Sequence, residues 1–321
     1  MPGRHTPPGT VERMEWIDDV SQGDWLRARL DESYDTMHGV VPRGFAAYAR
    51  VFHPASVRSG TSAEQPTTWA EAAAAFGTVM HPLAQWQRLV RTPPEGDWHT
   101  RIAPDGREFS APMEGEMDPA LLARIAAHLS AHTTTPDAGI AAVWEGYGGL
   151  LGFYGSEPTR AFFSSDDPDA ASAPDLQYVS HQEMLARSIH DPFNDAFRKP
   201  TWQPGILPDD VSKGPRLELP GREHVLFSAP PAAFADPGWV LDAPWRDRPG
   251  ESHGFPPAAQ HPNIVWPADH AWTLVSEIDF DSTIVAGSAE LVAAICADPR
   301  LEAAPIPVDA DLTWQADEVN R

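Results

Sequence analysis

Three carboxylates sit at alternate positions in the segment Glu277-Ile-Asp279-Phe-Asp281, which begins within the strand-like run Trp272–Ile278 and continues past its end. On an extended strand, alternate side chains point to one face. Glu277 and Asp279 are then roughly 6.5–7 Å apart, and Asp281 joins them if the extension persists. Carboxylates gathered in this way suit a hard divalent cation such as Mg²⁺ or Ca²⁺, which takes oxygen ligands. They also suit a general acid/base pair. Glu277, Asp279 and Asp281 are therefore the candidate catalytic and metal-ligating residues, for a metal-assisted hydrolase. The competing expectation is a charged strand face in water.

Asp279-Phe-Asp-Ser-Thr283 also resembles the first motif, D-x-D-x-T, of the haloacid-dehalogenase-like phosphatases. That resemblance implies a nucleophilic first aspartate, a general-acid second one and bound Mg²⁺. Such a fold needs a basic residue and a further acidic pair downstream. Only Ile284–Arg321 follow, with no lysine and with Arg300 and Arg321 as the arginines. Other chemistries are weaker. The run Gly146-Tyr-Gly148-Gly-Leu-Leu-Gly152 looks like a phosphate loop, but Phe153–Pro158 follows where a helix must begin. His128 and His132 share a helix face without a second ligand pair, and His181 and His190 have only Glu183 and Asp191 nearby. Cys296 is the sole cysteine, so no intrachain disulfide exists. Its apolar neighbours predict a buried, inert thiol.

The formal net charge is −23, with 46 acidic against 23 basic residues. Such a field repels phosphate backbones and anionic lipid, which argues against nucleic-acid and membrane partners. It favours a basic protein or a cationic small ligand. Tryptophan is abundant, at 12 residues, and indole faces attract cations. The segments that combine rings with carboxylates are Val143–Gly149 and Trp266–Asp281. They make Trp144, Glu145, Tyr147, Trp266, Asp269 and Trp272 the candidate binding residues. Met1–Thr10 has no apolar core of a signal peptide, and no run approaches 18 apolar residues. A cytoplasmic protein without a required cofactor is the expectation, with a divalent metal only at the acidic segment.

These residues need elements to hold them. Ser21–Asp31 reads as a helix capped by Ser21, and Gly44–His53 as a strand. Thr68-Trp-Ala-Glu71 is a capping box whose helix Gly77 ends. Asp118 and Pro119 open the helix Pro119–His132. Gly139–Trp144, His224–Ala229 and Trp272–Ile278 read as strands, and Ser288–Asp298 as a helix that Pro299 stops. Residues 230–270 carry nine prolines and read as extended loop. The order of elements lacks regular βαβ spacing. It predicts an α+β fold: a mixed, mainly antiparallel sheet with peripheral helices and long Pro-rich loops. The expected organisation is a flexible tail at 1–13, then a single domain over 14–321 with an irregular Pro/Asp-rich excursion at about 156–222.

Several strings resemble a family of uncharacterised actinobacterial proteins: Gly23-Asp-Trp25, Gly39–Phe45, Ala47-Tyr-Ala-Arg50, Val143-Trp-Glu-Gly146, Leu219-Pro-Gly-Arg222 and Trp266–Trp272 running into Glu277-Ile-Asp279. The resemblance covers about half the chain and implies no activity, cofactor or catalytic residue. The residues themselves favour a non-catalytic binding or interaction protein with an acidic, Trp-bearing surface. The metal-assisted hydrolase is the alternative.

Overall fold

A computed structural model describes residues 13–33, 36–93, 96–155 and 200–321. His181, Glu183, His190 and Asp191 lie outside the described residues, as does nearly all of the expected tail. The strands, in chain order, are β1 (Glu15–Ile17), β2 (Ala47–Phe52), β3 (Ala55–Arg58), β4 (Gln65–Thr67), β5 (Thr100–Ile102), β6 (Glu108–Ser110), β7 (Gly139–Trp144) and β8 (Phe153–Gly155). They continue with β9 (Thr201–Gln203), β10 (Leu217–Leu219), β11 (Arg222–Ser228), β12 (Ile264–Pro267), β13 (Thr273–Val275), β14 (Ser282–Gly287) and β15 (Ala303–Ile306).

Backbone contacts group the chain into two units. The first joins Met1–Trp144, Pro215–Ala243 and Gln260–Arg321; the second joins Glu145–Gly214 and Pro244–Ala259. The first unit is built on a nine-stranded sheet in the order β1-β11-β7-β12-β13-β14-β2-β15, with β10 also paired to β11. A four-stranded sheet, β4-β3-β6-β5, belongs to the same unit. The second unit holds the β8–β9 pair and the short helices Asp209–Ser212 and Arg248–Ser252. Every pairing is antiparallel among the described residues. The fold is thus α+β with an antiparallel sheet. No helix among the described residues is long and apolar enough to cross a membrane.

One cross-strand row shows why this sheet forms. Ile17, Leu226, Ala142, Ile264, Val275 and Ile284 stand opposite one another in sequence across six strands. They share one core cluster with Tyr48 and Trp266. Alternation puts all of them on one face. Arg50 on β2 ends the row, opposite Ile284 and Ala304. On the other face, helix Ala289–Cys296 packs on β2 and β14 and against helix Pro119–Ala131. A second cluster collects Phe52, Trp69, Phe76, Trp86 and Phe109 beneath the smaller sheet.

Local signals in the sequence act as expected where they are self-contained. Thr68 Oγ1 accepts from Glu71 N at 3.1 Å, and Gly77 ends that helix at φ +66°. Asp118 Oδ1 accepts from Ala120 N at 2.7 Å, and Ser288 Oγ from Leu291 N at 3.2 Å. Other expectations are corrected. The helix expected at Ser21–Asp31 breaks into a 3-10 turn at Val20–Gly23 and one α-turn at Asp24–Arg27. Asp19, not Ser21, caps it, by accepting from Ser21 N. A Cβ on Gly23 would lie 2.4 Å from Leu217 Cδ2. Tertiary packing has set that turn.

Residues 230–270 are extended loop only in part, chiefly at 255–262. They hold 3-10 turns at Pro231–Ala235 and Pro237–Leu241, the helix Arg248–Ser252, and β12. Pro231, Pro237 and Pro249 sit in first turns, where no N–H is needed. Asp236 and Asp247 accept from Gly238 N and Gly250 N as caps. The strand expected at Trp272–Ile278 contracts to β13. Within the expected excursion, 200–222 carries β9, the helix Asp209–Ser212 and β10.

Three histidines of the first unit, His53, His224 and His261, are buried to 3 % exposure each. Burial pushes their imidazoles down to about 3, 4 and 4 respectively. They stay neutral in the fold, whereas the unfolded chain protonates them near 6.5. Their contribution to stability is complete above that value and is lost as pH falls. Denaturant unfolding between pH 6.5 and 5.5 is expected to show a mean slope of about 3 kcal/mol per pH unit from these groups, roughly 1 from each histidine, since each is only half protonated in the unfolded chain at pH 6.5. His53→Gln removes about a third of that slope.

Candidate functional site

The acidic segment leaves β13 at Ser276 as a turn, with Phe280 N donating to Glu277 O at 3.1 Å. Its three carboxylates do not converge. Arg222 Nε donates to Glu277 Oε1 at 3.0 Å and Arg222 Nη2 to Asp279 Oδ2 at 2.7 Å. The same guanidinium lies over the Trp144 ring, 5.4 Å from its centroid. Asp281 turns to a different arginine: Arg50 Nη2 donates to its Oδ1 at 3.2 Å. Among the described residues, no three His, Cys, Asp or Glu side chains gather as a metal site. The expected common carboxylate face is replaced by two arginine clamps, because the strand ends before Glu277.

Arg50 is the deeper clamp, at 2 % exposure. Nε donates to Ser282 Oγ at 2.8 Å and Nη1 to Ala84 O at 2.8 Å. Its guanidinium lies 4.6 Å from the Phe52 ring and 5.5 Å from Trp69. Burial pushes the Asp281 carboxyl up, and Arg50 opposes that. Burial likewise pushes Glu277 up against the pull of Arg222.

Above the Arg50–Asp281 pair opens a cleft of about 390 Å³, lined by Asp279, Asp281, Glu114, Gln85, Trp98 and Trp314 among others. Each wall is held from a different part of the first unit. Gly115 N donates to Phe280 O at 3.0 Å. Gly115 has φ +67°, and a Cβ there would lie 2.2 Å from Ile278 O, so only glycine permits this approach. The contact sets Glu114 beside Asp279 and Asp281. Trp98 O accepts from Trp86 Nε1 at 3.2 Å, and the Trp98 ring stacks on His99 at 3.9 Å. Trp314 O accepts from Gln87 Nε2 at 3.1 Å. The chain after Trp314 is anchored by the buried Asp317, which accepts from His81 Nε2, Gln85 N and Asn320 N. Trp98 and Trp314 meet edge to face at 88°, with ring centroids 5.3 Å apart.

Glu114 is the one carboxylate of this cleft without a partner among the described residues. It is exposed. Its carboxyl is pushed up by lost hydration, then by the charges of Asp281 and Asp279, with His99 pulling the other way. A cleft with two indole walls and an uncompensated carboxylate attracts cations by ring quadrupole and by charge.

The expected binding residues have other roles. Trp266 and Trp272 are core side chains at 1 % and 0 % exposure. Trp266 packs edge to face on Trp25, and Trp272 Nε1 donates to Leu129 O at 2.9 Å. Trp272 is wholly enclosed, whereas Trp266 lines a second cleft with Trp25 and His270. Asp269 clasps a loop, accepting from Thr133 Oγ1, Thr134 N and Thr134 Oγ1 at 2.7–2.8 Å. Trp144 is half-buried beside Arg222, while Glu145 and Tyr147 open the second unit, where Leu150 N donates to Tyr147 O. His128 pairs with Asp298, and His132 Nδ1 meets His128 O, so the two do not face one ligand. Cys296 is half-buried, and burial pushes its thiol up. Glu114, Trp98 and Trp314 were not legible as a set. Gly115 after Glu114 was the one local signal, because such a pair marks a turn.

Arg50→Ala leaves Asp281 without its counter-charge and is expected to cost about 3–5 kcal/mol at pH 7 by urea unfolding. Burial holds the Asp281 carboxyl above its ordinary range, so the cost shrinks as pH falls and Asp281 takes up a proton, and Asp281→Asn in that background recovers part of it. The chain matches no protein-family model, no curated protein and no solved structure.

Proposed function

We propose that this is a non-catalytic binding protein that holds a cationic group in the Trp98–Trp314–Glu114 cleft. The observation that carries the reading is Glu114. It is a carboxylate without a partner among the described residues, placed beside two further acidic groups and two indoles. Ionised Glu114 works against the fold, since its carboxyl titrates above the ordinary glutamate range. A bound cation reverses that cost. Asp279 and Asp281 already have arginines, so they add negative potential without offering a free ion-pair site.

The sequence expectation of an acidic, Trp-bearing surface is kept here, but its residues move. The net charge of −23 supports the same polarity of partner and aids encounter at low salt. The partner is a basic or cationic ligand, and the carboxylates Glu277, Asp279 and Asp281 serve the scaffold.

Calorimetric titration with small organic cations tests this. Affinity is expected to rise with pH as Glu114 ionises, and to become flat with pH in Glu114→Gln. The same variant should melt at or above the parent temperature at pH 7, because it removes a charge whose ionisation disfavours the fold. Binding unchanged in Glu114→Gln would sink the reading.

A further inference from the structure

Resting on that reading, we infer that the ligand is a quaternary or fully alkylated ammonium that also carries an acceptor oxygen, of the choline or betaine type. The two indole planes meet at 88°. Perpendicular walls form a corner, which a rounded cation touches on both sides; a planar guanidinium gains most by lying flat on one ring.

The supply of acceptors points the same way. A primary ammonium brings three N–H donors and a guanidinium five. Of the cleft carboxylates, Asp281 already accepts from Arg50 and Asp279 from Arg222. Glu114 alone is open. A donor-rich cation entering here would find one free carboxylate and leave its other N–H groups to water, gaining little from them. An alkylated ammonium has no donors to satisfy.

Gln85 supplies an independent sign. It lines the cleft at 5 % exposure, and its Nε2 has no hydrogen-bond partner among the described residues. Its backbone N–H is already used on Asp317. A buried amide donor seeks an acceptor; rotation of the Gln85 side chain toward the cleft lets a hydroxyl or carboxylate on the ligand provide it. The cleft's volume is equivalent to roughly a dozen waters at about 30 Å³ each, enough for a ligand of this size.

The test is titration of the full chain with choline, glycine betaine, tetramethylammonium, methylammonium and guanidinium, each as its chloride or zwitterion. Choline or betaine should bind about tenfold tighter than methylammonium and guanidinium, with tetramethylammonium between. Trp314→Ala, at an exposed ring, should weaken choline about fivefold or more without changing Tm, and Gln85→Leu should erase the advantage of choline over tetramethylammonium. Guanidinium or methylammonium binding as tightly as choline overturns this inference and leaves the cationic reading standing. No binding of any cation at millimolar concentration overturns both. Choline binding that ignores both Glu114→Gln and Trp314→Ala overturns the assignment to this cleft.

Discussion

The fold depends on a charge kept inside an apolar sheet. Arg50 ends a row of Ile, Leu, Val and Ala side chains that crosses the sheet. A guanidinium in that position is tolerable only when its donors are met and a counter-charge is near. Ser282, Ala84 and Asp281 meet those needs, and the rings of Phe52 and Trp69 cover its faces. Each partner comes from a different stretch of chain. Arg50 therefore ties β2 to the start of β14 and to the segment before Trp86. It also obliges the chain after β13 to turn so that Asp281 reaches inward.

That turn determines the cleft. Once Asp281 is drawn in, Ile278–Phe280 run close to the chain at Gly115, and only a residue without a Cβ lets them meet. Glu114 is then fixed at the rim by backbone geometry rather than by an ion pair. Arg222 plays the complementary part by holding Glu277 and Asp279 together. The acidic segment is thus largely spent on structure, and a residue from elsewhere carries the unmatched charge. A carboxylate that disfavours its own fold is the kind of trade between stability and function that the proposed cation-binding role would entail.

Tryptophan divides in the same manner. Trp69, Trp86, Trp245, Trp266 and Trp272 are almost wholly buried. Their large apolar area and single N–H donor serve packing. Trp69 Nε1 donates to His53 O and Trp272 Nε1 to Leu129 O. The exposed indole of Trp314 stands outside that core, held by the bond from Gln87 and the anchor at Asp317. Abundance of an aromatic type reports the core; only exposure separates the ring that can meet a ligand.

The sequence by itself determined what depends on neighbours along the chain. Caps at Thr68, Asp118 and Ser288, the left-handed Gly77, the strand Gly139–Trp144 and the α+β class all follow from residues within one turn or one strand. Its acidity set the sign of partner worth considering. Tertiary structure decided the rest. Whether Glu277, Asp279 and Asp281 share a face depended on where β13 stops, and that is set by Arg50 and Arg222, far away in sequence. Pro231, Pro237 and Pro249 read as breakers until their place in first turns is known. The cleft itself joins residues near 50, 85, 98, 114, 280 and 314. No periodicity links such positions, because an ion pair or a close backbone approach acts through space and leaves no spacing rule in the chain.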